Sequence, residues 1–169
     1  TLIDPFGRAI EYVRLSVTDR CDLRCSYCMP QGFRGFEVPE HWLTFDEIER
    51  VIGAFGRLGV SRIRLTGGEP LVRKDLPALA ARLAALPGIL DLSLSTNATR
   101  LARQAAGLRE AGISRINVSL DSLRAKRFRD ITGGKLDKVL SGLMAGKASG
   151  FSPVKINTVV MAGVNDDEV

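Results

Sequence analysis

Three cysteines, Cys21, Cys25 and Cys28, sit within eight residues in the stretch Cys-Asp-Leu-Arg-Cys-Ser-Tyr-Cys, and the 169-residue chain has no others. Three cannot all pair as disulfides. Their crowding, in a chain whose N-terminus lacks a signal-peptide pattern, points to metal or redox chemistry. Spacings of three and two residues let one short loop wrap three thiolates around a single iron–sulfur cluster, for which thiolates are the standard ligands. Three ligands for four irons leave one iron open, and an open iron can chelate a small molecule. Zinc is the competing metal. Structural zinc takes four ligands, and His41, the only histidine, lies thirteen residues past Cys28 and could complete a Cys3His set. Inert buried thiols are a third reading, which the charged neighbours Asp22 and Arg24 fit poorly.

The elements that must position this loop alternate in period between two and about 3.6, the pattern of alternating strands and helices. Strands are expected at residues 12–18, 62–66, 90–95, 115–120 and 154–160. The first helix runs from Thr44 to about Leu58, opened by a Thr44–Glu47 capping box and carrying Ile48, Val51, Ile52, Phe55 and Leu58. A second follows Asp75 with Leu76, Leu79, Leu83 and Leu86 inward. A third carries Leu101, Ala105 and Leu108. A short helical stretch lies near residues 122–130, and a last helix carries Leu136, Val139, Leu140, Leu143 and Met144. Residues 163–166 read as a loop and helix cap. Such alternation predicts an α/β fold, an open parallel partial (β/α) barrel of TIM-like type with about five β/α units. Five strands cannot close an eight-stranded barrel, so the chain reads as a single domain over residues 1–169 that is incomplete at its C-terminus. The cysteine loop follows the first strand and so sits at the C-terminal mouth of the sheet, where α/β folds place their chemistry.

On each strand one phase is apolar and the other polar. Val13, Leu15 and Val17 alternate with Arg14, Ser16 and Thr18; Ile63 and Leu65 with Arg62, Arg64 and Thr66; Leu92 and Leu94 with Ser93, Ser95 and Asn97. Ile116, Val118 and Leu120 alternate with Asn117 and Ser119, and Val154 and Ile156 with Lys155 and Asn157. A parallel sheet buried on both faces would be apolar throughout. This pattern therefore predicts helices outside and a polar lining inside, in which Arg14, Arg64 and Lys155 must face water, carboxylates or an anionic ligand. A simply solvated face is the alternative. Composition is that of a globular domain, 45% apolar and 25% charged. No apolar run is long enough to span a bilayer, and a cytoplasmic location is expected. The net charge of +5 suits an anionic ligand. Scattered arginines with one Trp and two Tyr argue against nucleic acid.

The CxxxCxxC spacing with an aromatic before the last cysteine resembles the signature of the radical S-adenosylmethionine superfamily. Residues 12–30 (YVRLSVTDRCDLRCSYCMP), 65–76 (LTGGEPLVRKDL), 95–97 (STN), 116–123 (INVSLDSL) and 155–167 (KINTVVMAGVNDD) are similar, within it, to the GTP 3′,8-cyclases of molybdenum-cofactor (molybdopterin) biosynthesis. That resemblance implies a [4Fe-4S] cluster on Cys21, Cys25 and Cys28, whose open iron binds S-adenosylmethionine. It implies a lyase that generates a 5′-deoxyadenosyl radical and converts GTP to (8S)-3′,8-cyclo-7,8-dihydroguanosine 5′-triphosphate. Tyr27 would lie beside the adenine, Gly67, Gly68, Glu69 and Pro70 would cradle the methionine end, and Ser119 would bond the ribose. Arg14, Arg64, Ser95 and Lys155 match substrate-binding positions. An electron donor and a second copy of the chain are the implied partners. Ser95 stands where the family often has Thr, Asp22 where many relatives have Asn, and Ala98 where Gly is usual. The second cysteine trio and terminal Gly-Gly tail of the family are not in this stretch, which predicts no cyclisation by it alone. Radical chemistry on another substrate such as a peptide, and a zinc-binding module, are the other functions carried forward.

Overall fold

The computed structural model describes residues 1–29, 32–36 and 39–169. Pro30, the last residue of the first motif, lies outside the described residues together with Gln31, Glu37 and Val38. Five strands, β1 (Tyr12–Ser16), β2 (Arg62–Thr66), β3 (Asp91–Thr96), β4 (Arg115–Ser119) and β5 (Val154–Asn157), form one sheet in chain order, every pairing parallel. Between them run α1 (Phe45–Arg57), α2 (Leu76–Ala84), α3 (Leu101–Glu110), α4 (Ala125–Thr132) and α5 (Leu136–Ala148). When strand order follows chain order, right-handed crossovers carry each connecting helix over the same face. The expected open parallel α/β sheet is thus the observed one, with β1 and β5 at its edges.

The apolar strand phase supplies the core. Ile63, Leu65, Leu92, Leu94, Ile116 and Val118 pack in one buried cluster with Ile48 and Ile52 of α1, Leu79 and Leu83 of α2, Leu101 and Leu108 of α3, Phe128 of α4 and Val139 of α5. The polar phase forms the other face in register. Arg14, Arg64, Ser93 and Arg115 make one row, and Ser95, Asn117 and Lys155 the next row toward the mouth. Thr44 caps α1 as the sequence predicts: its hydroxyl accepts from Glu47 N and its own N–H donates to the Glu47 carboxylate.

Several expected boundaries and faces shift. β1 ends at Ser16, two residues early, although Val17 N–H still donates to Thr66 O. β3 starts one residue late. β5 stops at Asn157 because the Thr158 hydroxyl and the Val159 N–H turn back onto Leu120 O and the Asp121 carboxylate. The short helix starts at Ala125, three residues later than read. Val51, Leu58, Leu140, Met144 and Ile156, expected in apolar stripes, are exposed. Val51 is a quarter-turn from the Ile48–Ile52 line, Leu58 is the cap residue after α1, and Ile156 lies on the edge strand. Leu140 and Met144 flank the side that α5 buries through Val139, Gly142 and Gly146. Asn165 lies at the start of a 3-10 turn (Asp166–Glu168) without capping it. Its amide instead accepts from Met161 N and donates to Asp121 O and Val159 O.

Leu94 is fully buried at the centre of the sheet. Leu94→Ala should cost about 2–5 kcal/mol through lost contacts and the cavity left behind, read as a lower urea midpoint with an unchanged slope.

Candidate functional site

Past the ends of β1 and β2 the two segments stay together. Gly68 N–H donates to Thr18 O (2.8 Å) and Glu69 N–H to Arg20 O (2.7 Å). A Cβ on Gly67 (φ +150°) would fall on the Thr18 carbonyl, and one on Gly68 on the Arg20 carbonyl, both inside van der Waals contact. The two glycines therefore allow a close approach to the chain's own residues 18–20, the stem from which the cysteine loop departs. Glu69, 1% exposed, ties this stem to the mouth of β3. Its carboxylate accepts from Leu71 N (3.0 Å), the Thr96 hydroxyl (2.7 Å) and Asn97 N (2.6 Å).

The cysteine loop is clamped on three sides. Asp22 accepts from Asn97 Nδ2 (2.9 Å), the Thr99 hydroxyl (2.8 Å) and Arg100 Nε (3.1 Å). Half-burial raises the Asp22 carboxyl, but these three donors outweigh it and hold it below the usual carboxylate range. Leu23 is buried, while Arg24 N and Ser26 N donate to Thr132 O and Ile131 O at the end of α4. Tyr27 OH donates to Asp121 Oδ2 (2.6 Å), and Asp121 Oδ1 accepts from Val159 N (2.9 Å). Burial, then the Asp121 carboxylate, pushes the Tyr27 phenol well above its ordinary value and keeps it a donor.

These anchors enclose a cleft of about 300 Å³ lined by Cys21, Cys25, Cys28, Tyr27, Gly67, Gly68, Glu69, Ser95, Ser119 and Arg14. Of the residues picked from the sequence, Pro70 lies buried at the start of a 3-10 turn (Pro70–Val72), and Arg64 and Lys155 stand on the polar face outside the cleft lining. Arg64 donates to Ser93 Oγ and stacks 5.4 Å from the Tyr12 ring centroid. Among the described residues, neither Arg14 nor Lys155 has an ion-pair or hydrogen-bond partner, and Arg64 has no carboxylate. Asp121, Thr96, Asn97 and Asn157 also line the cleft. The signal for Asp121 was an acid placed directly after a strand, at the C-terminal mouth.

All three thiols are free, with Cys21 and Cys25 half-buried. Burial pushes both thiols up, Cys25 to about 11, so they are protonated at neutral pH until a metal displaces the protons. Leu23 N donates to Cys21 Sγ at 3.4 Å, and Asn97 Nδ2 lies 3.8 Å from it. Three sulfurs on one loop, two N–H donors on one of them and an adjoining cleft fit an iron–sulfur cluster with room for a ligand. His41 is exposed in a separate 3-10 turn (Pro39–His41), and among the described residues no three His, Cys, Asp or Glu side chains converge as a single-ion site.

Two outcomes follow from this geometry. Gly68→Ala should force the stem away from Arg20 O, lowering the urea midpoint and abolishing iron uptake on reconstitution. Burial raises the Glu69 carboxyl from 4.5 to about 7 despite its three donors. Between those values the native chain holds more protons than the unfolded one, so stability should fall as pH rises through that window and level off above 7. The fall is on the order of 3 kcal/mol, and Glu69→Gln should flatten it in urea titrations across pH.

The profile of the Radical SAM superfamily matches residues 15–169. Curated GTP 3′,8-cyclases from Hydrogenovibrio crunogenus and Geobacter sulfurreducens are 52% and 54% identical over 99% of this chain, which spans 51% and 52% of their lengths. Among solved structures, methylornithine synthase superposes with a TM-score of 0.71 at 19% identity, covering 94% of this chain and 47% of its own. Streptococcus suis SuiB bound to S-adenosylmethionine superposes with a TM-score of 0.70 at 20% identity, covering 94% and 36%. Both share the fold. With its cysteine loop clamped at the mouth of such a sheet and the superfamily profile spanning nearly all of it, this chain belongs to the radical S-adenosylmethionine superfamily.

Proposed function

We propose that this chain is the cofactor-binding part of a GTP 3′,8-cyclase of molybdenum-cofactor biosynthesis, acting within a protein about twice its length. The superfamily's cofactors are a [4Fe-4S] cluster and S-adenosylmethionine, which together supply a 5′-deoxyadenosyl radical that no acid or base of this chain could produce. In this reading Cys21, Cys25 and Cys28 hold the cluster. Gly67, Gly68, Glu69 and Pro70 border the methionine end and Ser119 the ribose. Tyr27, its hydroxyl engaged by Asp121, offers its ring to the adenine. Conversion of GTP to (8S)-3′,8-cyclo-7,8-dihydroguanosine 5′-triphosphate also needs a one-electron donor and belongs to the longer protein.

The observation that carries the substrate is the set of unneutralised cations on the polar face. Arg14 and Arg64 are direct register partners on the same face. Like charges placed so destabilise a sheet, and here no carboxylate among the described residues relieves them. A triphosphate would. Ser95, Asn117 and Lys155, one row nearer the mouth, continue the polar track toward the cleft. The residues' part is to bind and orient the anion beside the cleft.

Hydrogen bonds to charged groups contribute about 1.5–3 kcal/mol each. Replacing Arg14, Arg64 or Lys155 with Ala should therefore weaken GTP binding about tenfold or more by calorimetry, and leave S-adenosylmethionine cleavage largely intact. Unchanged GTP affinity in all three variants would refute the substrate, and cleavage lost together with GTP binding would show that the cations serve the cofactor.

A further inference from the structure

We infer that Asn97 is a positioning residue for the cluster: its side-chain N–H, aimed at Cys21 Sγ, stabilises the reduced state and raises the reduction potential. The inference rests on the cluster assignment above and concerns a residue that the sequence places in the polar phase and in the 95–97 block without a role. Asn97 is 8% exposed at the mouth of β3. Its orientation is set by partners that cannot be exchanged. Oδ1 accepts from Thr99 N (3.0 Å), while Nδ2 donates to Asp22 Oδ1 (2.9 Å) and lies 3.8 Å from Cys21 Sγ. A flipped amide would set its oxygen against the Asp22 carboxylate and its NH2 against the Thr99 N–H. Only one orientation satisfies both ends.

The backbone holds the same register. Glu69 accepts from Asn97 N, and Ala98 keeps the following turn left-handed (φ +60°), its own N–H bound by the Thr96 hydroxyl. This left-handed geometry strains an alanine by about 1–2 kcal/mol, and the surrounding hydrogen bonds hold it. Asn97 thus joins the glycine-bearing stem, the Asp22 clamp and a cysteine sulfur. Hydrogen bonds to cluster sulfurs draw charge from the thiolate and stabilise the more negative, reduced cluster. Cys21 already receives one such bond from the backbone of Leu23. The bond from Asn97 is the one that substitution can remove.

The test is an EPR-monitored dithionite titration of the anaerobically reconstituted 169-residue chain, whose three cysteines admit one cluster, with no S-adenosylmethionine present. Asn97→Ala deletes the donor, and Asn97→Asp replaces it with an anionic oxygen. Both should retain about four irons per chain and become harder to reduce, Asp more than Ala, so that at a fixed potential the reduced fraction falls several-fold. Pulsed EPR of the reduced wild-type chain labelled with nitrogen-15 asparagine should show a nitrogen coupled to the cluster. It also keeps the proposal testable if the Asn97 variants do not take up iron. Loaded variants with the wild-type potential overturn the inference, as does the absence of any asparagine-nitrogen coupling when the Asn97 variants stay empty. A wild-type chain that binds no iron overturns the cluster assignment itself.

Discussion

Two backbone segments at the mouth of the sheet lie closer than any side chain would permit, and the candidate site is built outward from that contact. Residues 67–69 run beside residues 18–20, joined by the hydrogen bonds from Gly68 to Thr18 and from Glu69 to Arg20. The contact prolongs the β1–β2 pairing beyond its last side-chain-bearing residues and fixes where the cysteine loop leaves the sheet. Because both glycines meet backbone rather than a flexible side-chain end, there is no soft atom to move aside. The buried carboxylate of Glu69 then transfers that placement to β3, through Thr96 and Asn97. One constraint therefore aligns three strand ends around the cleft.

Charge is distributed around this frame in two ways. Near the sulfurs Asp22 is ion-paired with Arg100, and Arg24 is folded back onto the carbonyls of Cys21 and Leu23. Deeper on the polar face Arg115 pairs with Asp91, while Arg14 and Arg64 face each other across β1 and β2 without a carboxylate among the described residues. Arg14 is exposed and solvated, but like charges in direct register still repel across the strand pair. A bound anion would relieve that repulsion, which is what supports the ligand surface proposed above.

Much of this was legible in the sequence because periodicity reports faces. The alternation Ile63–Arg64–Leu65 and its counterparts placed the core under the helices and the cations opposite, and the cysteine spacing placed the loop. The strand ends were less legible, since Val159 and Val160 look like strand residues while the hydrogen bonds to Leu120 and Asp121 turn that segment away. Leu140 and Met144 misled for a related reason: α5 makes its contact through Gly142 and Gly146, which carry no apolar signal. The clamps were invisible. Asp22 with Asn97, and Tyr27 with Asp121, join residues 75 and 94 positions apart, and local pattern holds no record of such pairs. The resemblance implied only a cradle for the methionine end at Gly67 and Gly68, whereas the backbone they approach is that of the chain itself.

The proposed function needs three thiolates to leave one iron of a four-iron cluster free to bind a ligand. Mössbauer spectroscopy of the iron-57-reconstituted chain, recorded with and without S-adenosylmethionine, measures that directly. Roughly one quarter of the iron absorption should move to a higher isomer shift on addition while the rest stays in place. Four equivalent irons that ignore the added ligand, or iron bound only as isolated ions, would contradict it.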